Sequence, residues 1–591
     1  MPLTCTILIA AAALVPQGEA KVAPEATRPV RGVLPKPIAN ALPIAADQNQ
    51  VVVKLAEGAA ALVADGKIVA APILATIDGR PVRSLFAGLE RELSALRARQ
   101  LAATPASSPP AVDLSLYFVV TAADAADARK LLLALNALDE VELAYPRELP
   151  TSPPGDLPPV TPDYTTTHQT YRGPAPTGID AEYARTVAGA AGGGVMMVEI
   201  EWGWNFDHED IAKLVPSALI GPPSSNPNYN DHGVAVVGEL VADADAYGMT
   251  GLVPDLGVRV ATDYPASGYS VANAIAVGLG ALQAGDLLVL EAQTNTPLGL
   301  GPTEWIQADF DAIFIATTLG IITVEAAGNG AVDLDAPALG GVFQRSVRDS
   351  GAILVGATNG QALARAPFSS FGSIVDANGW GYFVATTGYG NLSTVGGDPR
   401  QRYTDSFSGT SSATPMVAAA VAALRGAAEL QLGTAAAASL DSFAIRSLLR
   451  SFGTAIPGQG IGRRVDLRAL LQGAGLVRDL AIVGSSNLGQ TCTIQLSPAP
   501  GFGTGDLFAI AASLDLAAQP VQVGGTRWLL EPSLGATLAF GVFGSPPAAA
   551  PITVPNVAGL QGLRIYAQGI SLDVSSGALS ASHCGEVFVR R

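Results

Sequence analysis

One serine in the sequence stands where a backbone turn would hold its hydroxyl group ready for nucleophilic attack. Ser411 lies in a segment of small residues, 407–416 (FSGTSSATPM), and a run of mostly alanine and valine, 417–424, follows directly. Gly409 permits a strained turn, and the run predicts a buried helix whose N-terminus directs free N–H groups and a positive dipole at the serine. Pro415 suits a first helical turn, where its missing N–H is no loss. A serine held in this way is a nucleophile if a base reaches it, although a Ser/Thr N-cap on a core helix is the plainer interpretation.

The base would come from one of only four histidines in the chain, His168, His208, His232 and His583. His232 begins a run of small and β-branched residues, 231–242 (DHGVAVVGELVA), which is the pattern of a helix packed tightly against a sheet. The adjacent Gly233 would leave room for a substrate beside a general base. Taken alone, a His-Gly pair is more often a turn or a cap.

A carboxylate is expected as the third member, because it orients the imidazole and stabilises its cation. Residues 195–200 predict a short buried strand, which ends in acidic residues before a glycine turn. Acids at the carboxyl end of a parallel strand lie where open α/β sheets place their sites. Glu201 and Glu199 share one face of this strand, since side chains alternate, and Asp207 is a third candidate. A solvated strand end is the plainer alternative.

The order acid, His-Gly-x-x-Val-x-Gly, Gly-Thr-Ser-x-Ala-x-Pro resembles the subtilisin-like (subtilase) serine peptidases. The resemblance covers about half of the chain, roughly residues 165–475. Residues 251–254 (GLVP) resemble the family's Gly-x-Ala-Pro segment, and residues 324–330 (VEAAGNG) resemble the strand and turn that carry its oxyanion-hole asparagine. Residues 352–357 with 368–372 resemble a later strand and a Ser-rich turn of the family.

This resemblance implies that Ser411 is the nucleophile and that His232 is the general base and later the general acid. Asn329 would donate its side-chain amide to the oxyanion, alongside the backbone N–H of Ser411. Without the family, Asn329 is simply an Asn-Gly turn after a buried strand. No cofactor is required for this chemistry.

The sequence departs from the family at two places. Glu201 stands where subtilases have Asp, in an alignment anchored on residues 208–211 (HEDI), which resemble the family's His-Pro-Asp-Leu. Glu is one methylene longer, so the strand or the histidine must shift to keep the hydrogen bond, and Glu199 stays the alternative acid. Residues 290–294 (LEAQT) stand where the family has the Ser-Leu-Gly segment that forms one wall of the substrate cleft.

Two alternatives to an active subtilase follow from these residues. The sedolisins share the fold, but they have Glu in place of the histidine and Asp in place of the oxyanion asparagine. The presence of His232 and Asn329 argues against that family. A catalytically silent subtilase fold used for binding is the main rival, because Glu201 replaces the usual acid.

Changes in composition along the chain indicate several domains, as 591 residues at about 100–200 per domain suggest. Between 165 and 475, strand-like apolar runs alternate with helical ones, which predicts the α/β class with a subtilisin-like parallel sheet covered by helices on both faces. Residues 287–290 are expected to form a buried central strand. The predicted units are a signal peptide (1–20), a linker (21–48), an α+β unit (49–150), a processing linker (151–164), the peptidase domain (165–475) and a C-terminal all-β sandwich (478–591).

The α+β unit is predicted from strand-like runs at 51–55, 116–120 and 140–146 and from a helical period over 123–138. Such a unit ahead of a subtilase domain resembles the inhibitory pro-domains that assist folding and are then removed. The pro-domain would be bound in cis before maturation, and the Pro-rich stretch 147–162 would be its tail and processing region. A permanently attached N-terminal domain is the alternative.

The composition is that of an exported globular protein, with 14% charged residues and a net charge of −17. This charge argues against nucleic acid and anionic membranes as partners. The resemblance to subtilases implies protein or peptide substrates, and we expect a monomer. The apolar run 4–15 is too short to span a bilayer. With the small residues at 18–20 it resembles a secretory signal peptide, although the usual basic segment is missing. We therefore expect a secreted zymogen.

The C-terminal region and the cysteines give two further expectations. Short alternating runs such as 491–496, separated by Gly and Pro turns, predict a β-sandwich over 478–591. Loss of Cys5 with the signal peptide would leave Cys492 and Cys584, which are expected to form a disulfide in an exported chain; two free thiols are the alternative. By resemblance to the family, structural calcium is expected, but no spacing of acids fixes its site.

Overall fold

The computed structural model describes residues 33, 36, 49–58, 63–64, 67–103, 112–147, 162–245, 247–394, 397–523, 526–544 and 547–590. The predicted signal peptide lies outside these residues. So do nearly all of the predicted linker and nearly all of the predicted processing linker.

The N-terminal unit is a small α+β fold on a four-stranded sheet. Its elements are β1 (Gln50–Leu55), β2 (Val63–Ala64), β3 (Lys67–Ile68), α1 (Ala71–Ile77), β4 (Val82–Ser84), α2 (Glu90–Ala103), β5 (Tyr117–Thr121), α3 (Ala125–Asn136) and β6 (Val141–Pro146). The strand order is β4-β5-β1-β6, and β1 is antiparallel to both neighbours. Asp124 caps α3 by accepting a hydrogen bond from the N–H of Asp127, and this cap fixes where the predicted helix begins.

Among the described residues, the central α/β unit contains the sheet with the most strands and the longest helix. Its elements are α4 (Ala181–Ala184), β7 (Met196–Glu201), α5 (Asn230–Val241), β8 (Gly257–Thr262), α6 (Val271–Leu279), β9 (Leu287–Leu290), β10 (Gln293–Thr296), β11 (Gly299–Pro302), α7 (Gln307–Thr318), β12 (Ile322–Ala326), β13 (Ile353–Thr358), β14 (Ala377–Trp380), β15 (Val384–Thr387), β16 (Ser393–Thr394), β17 (Arg402–Phe407), α8 (Thr410–Leu432), α9 (Thr434–Ala437), α10 (Ser442–Ser451), β18 (Arg463–Arg464) and α11 (Leu467–Gly473).

Seven parallel strands of this unit form one sheet in the order β18-β14-β13-β12-β9-β7-β8. Both faces are covered, because α5 and α8 pack in one apolar cluster and α6 and α7 pack in another. The central strand β9 (LLVL) is buried along its whole length, as a strand covered on both faces requires. The predicted α/β fold with a parallel sheet between helices is confirmed.

Helix α8 is the one described helix that is long and apolar enough to cross a membrane by length and composition alone. Its most apolar window of 18 residues is 89% buried inside the protein. Alanine and valine side chains let this helix lie close to the sheet, so it is the core helix that the sequence predicted.

The N-terminal sheet is covered on both faces because side chains alternate along its strands. Val51 and Val53 of β1 are buried in a cluster with residues of α1 and α3. Val52, between them, is buried in the cluster that contains α6 and α7 of the central unit. The N-terminal sheet therefore lies between helices α1 and α3 of its own unit on one face and helices α6 and α7 of the central unit on the other.

The region after residue 477 is built of strands. They are β19 (Leu480–Gly484), β20 (Thr491–Leu496), β21 (Leu507–Ser513), β22 (Leu516–Val523), β23 (Thr526–Leu530), β24 (Gly535–Val542), β25 (Ala548–Thr553), β26 (Arg564–Leu572), β27 (Leu579–Ala581) and β28 (Gly585–Phe588). They form antiparallel sheets ordered β19-β20-β25 and β24-β21-β26-β27, with β28 paired to β26 and a separate β22-β23 pair.

The disulfide that the sequence predicted between Cys492 and Cys584 is wrong, because both cysteines are free and buried. Cys492 lies in β20 and lines a cavity. Cys584 precedes β28 and packs in a different cluster, with Leu529 and Leu530. The two thiols thus belong to separate packing environments, which the spacing of cysteines in a sequence does not reveal.

Candidate active site

The predicted site residues meet at the carboxyl edge of the parallel sheet. Glu201 is the last residue of β7, and Asn329 follows the end of β12 by three residues. His232 lies in the first turn of α5, and Ser411 lies in the first turn of α8. These two helices pack against each other on one face of the sheet. Parallel strands bring their carboxyl ends to one edge, so residues far apart in sequence share one site.

Glu201 and His232 form the acid–base pair of this edge. Oε2 of Glu201 is hydrogen bonded to Nδ1 of His232. Oε1 of Glu201 accepts a hydrogen bond of 2.8 Å from the backbone N–H of Trp202, so both carboxylate oxygens are engaged. The His232 ring also makes an edge contact with Phe407, with centroids 5.4 Å apart. Nε2 of His232 has no hydrogen-bond partner among the described residues, which leaves it available for a proton.

Gly233 permits the close approach of α5 that this pair requires. A Cβ atom at Gly233 would lie 2.5 Å from the carbonyl oxygen of Gly203 and 2.6 Å from Nε1 of Trp204. Real Cβ atoms do not approach backbone so closely, so a side chain at this position would push the helix away from the turn after β7. The glycine of the His-Gly motif therefore allows α5 to lie close enough to β7 for His232 to bond to Glu201.

Ser411 and Asn329 are linked through the turn that begins α8. Gly409 has a φ of 102°, in the region that favours glycine. The N–H of Thr410 donates a hydrogen bond of 2.8 Å to Oδ1 of Asn329, and the Thr410 hydroxyl group lies 3.2 Å from the same oxygen. The amide oxygen of Asn329 is thus occupied. Its Nδ2 is left as a donor close to Gly409, since a Cβ atom there would lie 3.3 Å from Nδ2.

A cluster of buried carboxyl groups, Glu199, Glu239 and Glu291, lies beneath this site. Burial raises the pKa of each of them well above the usual range of a glutamic acid. Nearby carboxyl groups raise the pKa of Glu291 further, with the contribution of Glu199 larger than that of Glu201. The nearby Ser411 hydroxyl group acts to lower the pKa of Glu291, although neither oxygen of Glu291 has a hydrogen-bond partner within the geometric limits among the described residues.

The alternative acids of the sequence analysis lie elsewhere. Oε2 of Glu199 accepts a hydrogen bond of 2.6 Å from Nε1 of Trp204 instead of binding a histidine. Asp207 is exposed, in a turn with a φ of 61°. Of the three candidate acids, the one that bonds to His232 is Glu201.

The other three histidines contact backbone carbonyl groups or an aromatic ring instead of a candidate acid. Nε2 of His208 lies 2.8 Å from the carbonyl oxygen of Arg402, and burial lowers the pKa of His208 to about 4. Burial likewise lowers the pKa of His583 to about 4, and its Nδ1 lies 2.7 Å from the carbonyl oxygen of Arg478. His168 contacts Tyr164 edge to face.

Sequence reasoning did not identify Glu239 and Glu291 as buried carboxyl groups near the site. Glu239 lies seven residues after His232 in α5, so helical periodicity places it on the same face, two turns below the base. That spacing was the available signal. Residues 290–294 are predicted to form one wall of the substrate cleft, and the interaction of Glu291 with Ser411 adds a buried carboxyl group that the sequence did not indicate.

Among the described residues, no group of three or more His, Cys, Asp or Glu side chains is arranged to hold a metal ion. Backbone carbonyl groups also bind calcium, so the expectation of calcium stays untested.

Comparison with known proteins gives matches in the same region. Residues 216–451 match the family model Peptidase_S8, described as the subtilase family. Alkaline elastase YaB of Bacillus sp. (strain YaB) is 30% identical over 238 residues, which are 40% of this chain and 56% of that protein. Subtilisin DY of Bacillus licheniformis is 27% identical over 234 residues, 40% of this chain and 77% of that protein. The chain thus spans only about half the length of the elastase.

Two solved structures resemble this one at low identity. A protease of Pseudoalteromonas arctica PAMC 21717 is 18% identical, with a TM-score of 0.40, over 53% of this chain and 99% of that one. MycP1 of Mycobacterium smegmatis is 16% identical, with a TM-score of 0.36, over 55% of this chain and 90% of that one.

Proposed function

We propose that this chain, whose residues 216–451 match the subtilase family model, is a serine endopeptidase that hydrolyses peptide bonds through an acyl-enzyme on Ser411. The observation that carries the proposal is the hydrogen bond between Glu201 and His232, which leaves Nε2 of the histidine unpaired. That nitrogen belongs to a residue at the start of α5, and the start of α8, with Ser411, packs close by.

The reaction then proceeds in two halves. Ser411 Oγ attacks the carbonyl carbon of the scissile bond while Nε2 of His232 takes the hydroxyl proton. Glu201 stabilises the imidazolium through Nδ1. The oxyanion receives hydrogen bonds from Nδ2 of Asn329 and from the N–H of Ser411. His232 returns the proton to the leaving amine as the C–N bond breaks, and a water molecule then hydrolyses the acyl-enzyme by the same route.

The substitution of Glu for the usual Asp is compatible with this mechanism. The longer side chain is fixed at both oxygens, by the N–H of Trp202 at 2.8 Å and by Nδ1 of His232. A carboxylate held in this way keeps the imidazole in the tautomer that has a free Nε2, which is the task of the triad acid. Triads with Glu in this role occur in other hydrolase folds.

We further propose that the N-terminal unit is an inhibitory pro-domain that is bound in cis. The hydroxyl group of Tyr117 donates a hydrogen bond of 2.5 Å to Oδ2 of Asp311 in α7. Arg99 donates hydrogen bonds to the carbonyl oxygens of Leu279 and Leu282, at the end of α6. Close to the end of β6, Arg147 donates a hydrogen bond of 2.9 Å to the carbonyl oxygen of Tyr269.

These contacts support an N-terminal unit that is held against the central domain of the same chain. We also propose that the protein is secreted. An inhibitory N-terminal unit would keep the peptidase inactive inside the cell until export. We expect protein or peptide substrates and a monomer.

The proposal is tested by mass spectrometry of the purified chain after incubation with a fluorophosphonate. Three forms are compared: the natural chain, Ser411→Ala and Ser412→Ala. Ser412 is the matched control, since its hydroxyl group lies one residue away but donates to the carbonyl oxygen of Trp380. We expect labelling of Ser411 in the natural chain and in Ser412→Ala, and none in Ser411→Ala.

Self-processing gives a second readout of the same samples. Cleavage between about 147 and 180 should occur in the natural chain and not in Ser411→Ala, because the zymogen would cut itself. A folded natural chain that neither labels nor cleaves would overturn the enzyme proposal. It would favour the silent subtilase fold used for binding, which the Glu201 substitution keeps as the second candidate.

A further inference from the structure

A cavity of about 610 Å³ lies between the central unit and the C-terminal strands, away from the candidate active site. The central unit contributes residues of the segment 165–173 and of α4 and its C-terminal end, and the C-terminal region contributes the turn after β19 and strand β28. A volume of this size accommodates a small organic molecule, since ligand sites generally occupy about 300–1,000 Å³.

Arg185 is an unusual feature of this cavity. Its side chain is only 6% exposed, yet its guanidinium group makes no hydrogen bond or ion pair with any residue in the described part of the chain. Its guanidinium carbon lies over the ring of Phe588, 4.9 Å from the ring centroid. Burial lowers the pKa of Arg185 to about 9. A buried guanidinium group normally has acceptors for its five N–H groups.

The acidic residues of the cavity, Glu182 and Glu586, both act to raise the pKa of Arg185, but among the described residues neither forms a hydrogen bond or an ion pair with it. Glu182 is already bound by two arginines, because it pairs with Arg172 at 2.7 Å and with Arg590 at 2.5 Å. Oε1 of Glu586 lies 3.4 Å from Nη1 of Arg564, outside the cavity lining. Three arginines and two glutamates line the cavity, so the charged lining residues carry one more positive than negative charge. Arg185 is the arginine of this lining that forms no ion pair with a described residue.

We infer that this cavity is a binding site for an organic monocarboxylate, whose carboxylate group pairs with Arg185. A carboxylate matches the planar fork of a guanidinium group, and a single negative charge balances the surplus. Apolar side chains, Ile482, Val587 and Phe588, also line the cavity and would cover the carbon skeleton of the acid. The site does not depend on the proposed peptidase activity.

Such a ligand would also join the two parts of the chain. The N–H of Glu586 donates a hydrogen bond of 2.9 Å to the carbonyl oxygen of Thr186, so the backbone next to Arg185 already pairs with the C-terminal region. A carboxylate held between α4 and β28 would add a contact across the same seam. We therefore expect the ligand to raise the thermal stability of the whole chain, as any molecule that binds only the folded state does.

The test measures the thermal unfolding midpoint of the full chain as a function of sodium acetate concentration. Every protein measured carries the Ser411→Ala substitution, so that self-processing cannot affect the result. Acetamide is the neutral counterpart of acetate, and sodium chloride at equal ionic strength is the control for screening. We expect acetate to raise the midpoint to a plateau, and we expect acetamide and sodium chloride to have no such saturable effect.

Two arginine variants assign the effect to the cavity. Arg185→Met keeps an apolar stem over Phe588 but removes the charge, and it should abolish the acetate-dependent shift. Arg365→Met is the matched control, because Arg365 also stacks on a phenylalanine, Phe371, at 4.1 Å, but lies outside the cavity. It should keep the shift.

The inference is wrong if acetate, acetamide and sodium chloride act alike on the parent chain, or if Arg185→Met keeps the full acetate shift. The first comparison needs no cavity variant, so it decides the question even if Arg185→Met does not fold. An active enzyme without this acetate effect would refute the carboxylate site and leave the proposed function intact.

Discussion

Glu201 and His232 are hydrogen bonded through Oε2 and Nδ1, although 31 positions of sequence separate them. Replacing the acid by Glu201→Gln keeps the size of the side chain but removes the charge that fixes the imidazole tautomer. We expect kcat to fall by about 10⁴, the loss seen when a triad acid becomes its amide. The measurement is steady-state hydrolysis of a chromogenic peptide.

Glu201→Asp serves as the companion variant. Its carboxylate is charged but one methylene shorter, so it should restore part of the activity if the strand can shift. Equal activity of Glu201→Gln and the natural enzyme would show that this carboxylate is not the triad acid.

Asn329 is expected to act on the transition state alone. Its Oδ1 is held by Thr410, so Asn329→Ala removes the Nδ2 donor from the oxyanion. In subtilisins the loss of one such donor lowers kcat by about 10²–10³, and we expect a similar loss here with little change in KM. Thr410→Val is the control, because it removes only the 3.2 Å hydroxyl contact and keeps the backbone N–H bond to Asn329. A large rise in KM for Asn329→Ala would contradict this assignment.

Glu291 should make the activity sensitive to alkaline pH. Burial holds its pKa well above the usual value, so the carboxyl group is neutral below that raised pKa and becomes charged as the pH rises through it. A negative charge facing Ser411 opposes formation of the oxyanion, so kcat/KM of the natural enzyme should fall on the alkaline side. Glu291→Gln is neutral at every pH and should keep its activity there.

The control for this profile is Glu325→Gln. Glu325 is also buried, with a raised pKa, and it lies in the neighbouring strand β12, where it accepts a hydrogen bond from the N–H of Glu304. Its replacement should leave the alkaline limb of the kcat/KM profile in place. If Glu291→Gln loses activity at the same pH as the natural enzyme, Glu291 is not the group that titrates.

Glu239 should lower the stability of the protein as the pH rises. Neither of its oxygens has a hydrogen-bond partner among the described residues, and burial raises its pKa well above 4.5. The folded state therefore holds this proton more tightly than the unfolded state. The stability it contributes is fully present below pH 4.5 and is lost as the pH rises toward the folded-state pKa, by about 1.4 kcal/mol for each pH unit.

The comparison is urea unfolding of the natural chain and Glu239→Gln at one acidic and one alkaline pH. The variant does not titrate, so its advantage in the free energy of unfolding should appear only at the alkaline pH. Glu90→Gln, at an exposed position, should show no such difference. An equal effect of Glu239→Gln at both pH values would mean that the change acts through packing and not through the proton.

The backbone that carries the site was largely predictable. The strand predicted at 195–200 is β7 (Met196–Glu201), and the run after Ser411 is α8, because hydrophobic period and glycine placement act locally. The order of motifs was enough to select Glu201, His232, Ser411 and Asn329 as candidates. Their mutual distances needed the fold.

Other features could not be predicted, for physical reasons. A sequence does not show whether a buried glutamate is charged or neutral. The raised pKa values of Glu199 and Glu291 therefore could not be predicted from it. The thiols of Cys492 and Cys584 are separated by three-dimensional packing that no spacing rule contains. The cavity around Arg185 forms where the central unit packs against the C-terminal strands. The sequence of either unit alone does not show how the two pack together.

The alternation of side chains along β1 couples the unfolding of the N-terminal unit to that of the central unit. Val52 and Tyr117 of the N-terminal unit share one continuous apolar cluster with Ile275 and Ile313 of the central helices. Because the two units share this cluster, unfolding of either one would expose apolar surface of the other to water. Calorimetry of the uncleaved Ser411→Ala chain should then show the N-terminal and central units unfolding in a single cooperative transition. Once the covalent link is cut, the same boundary becomes a dissociable interface, and the midpoint becomes dependent on protein concentration.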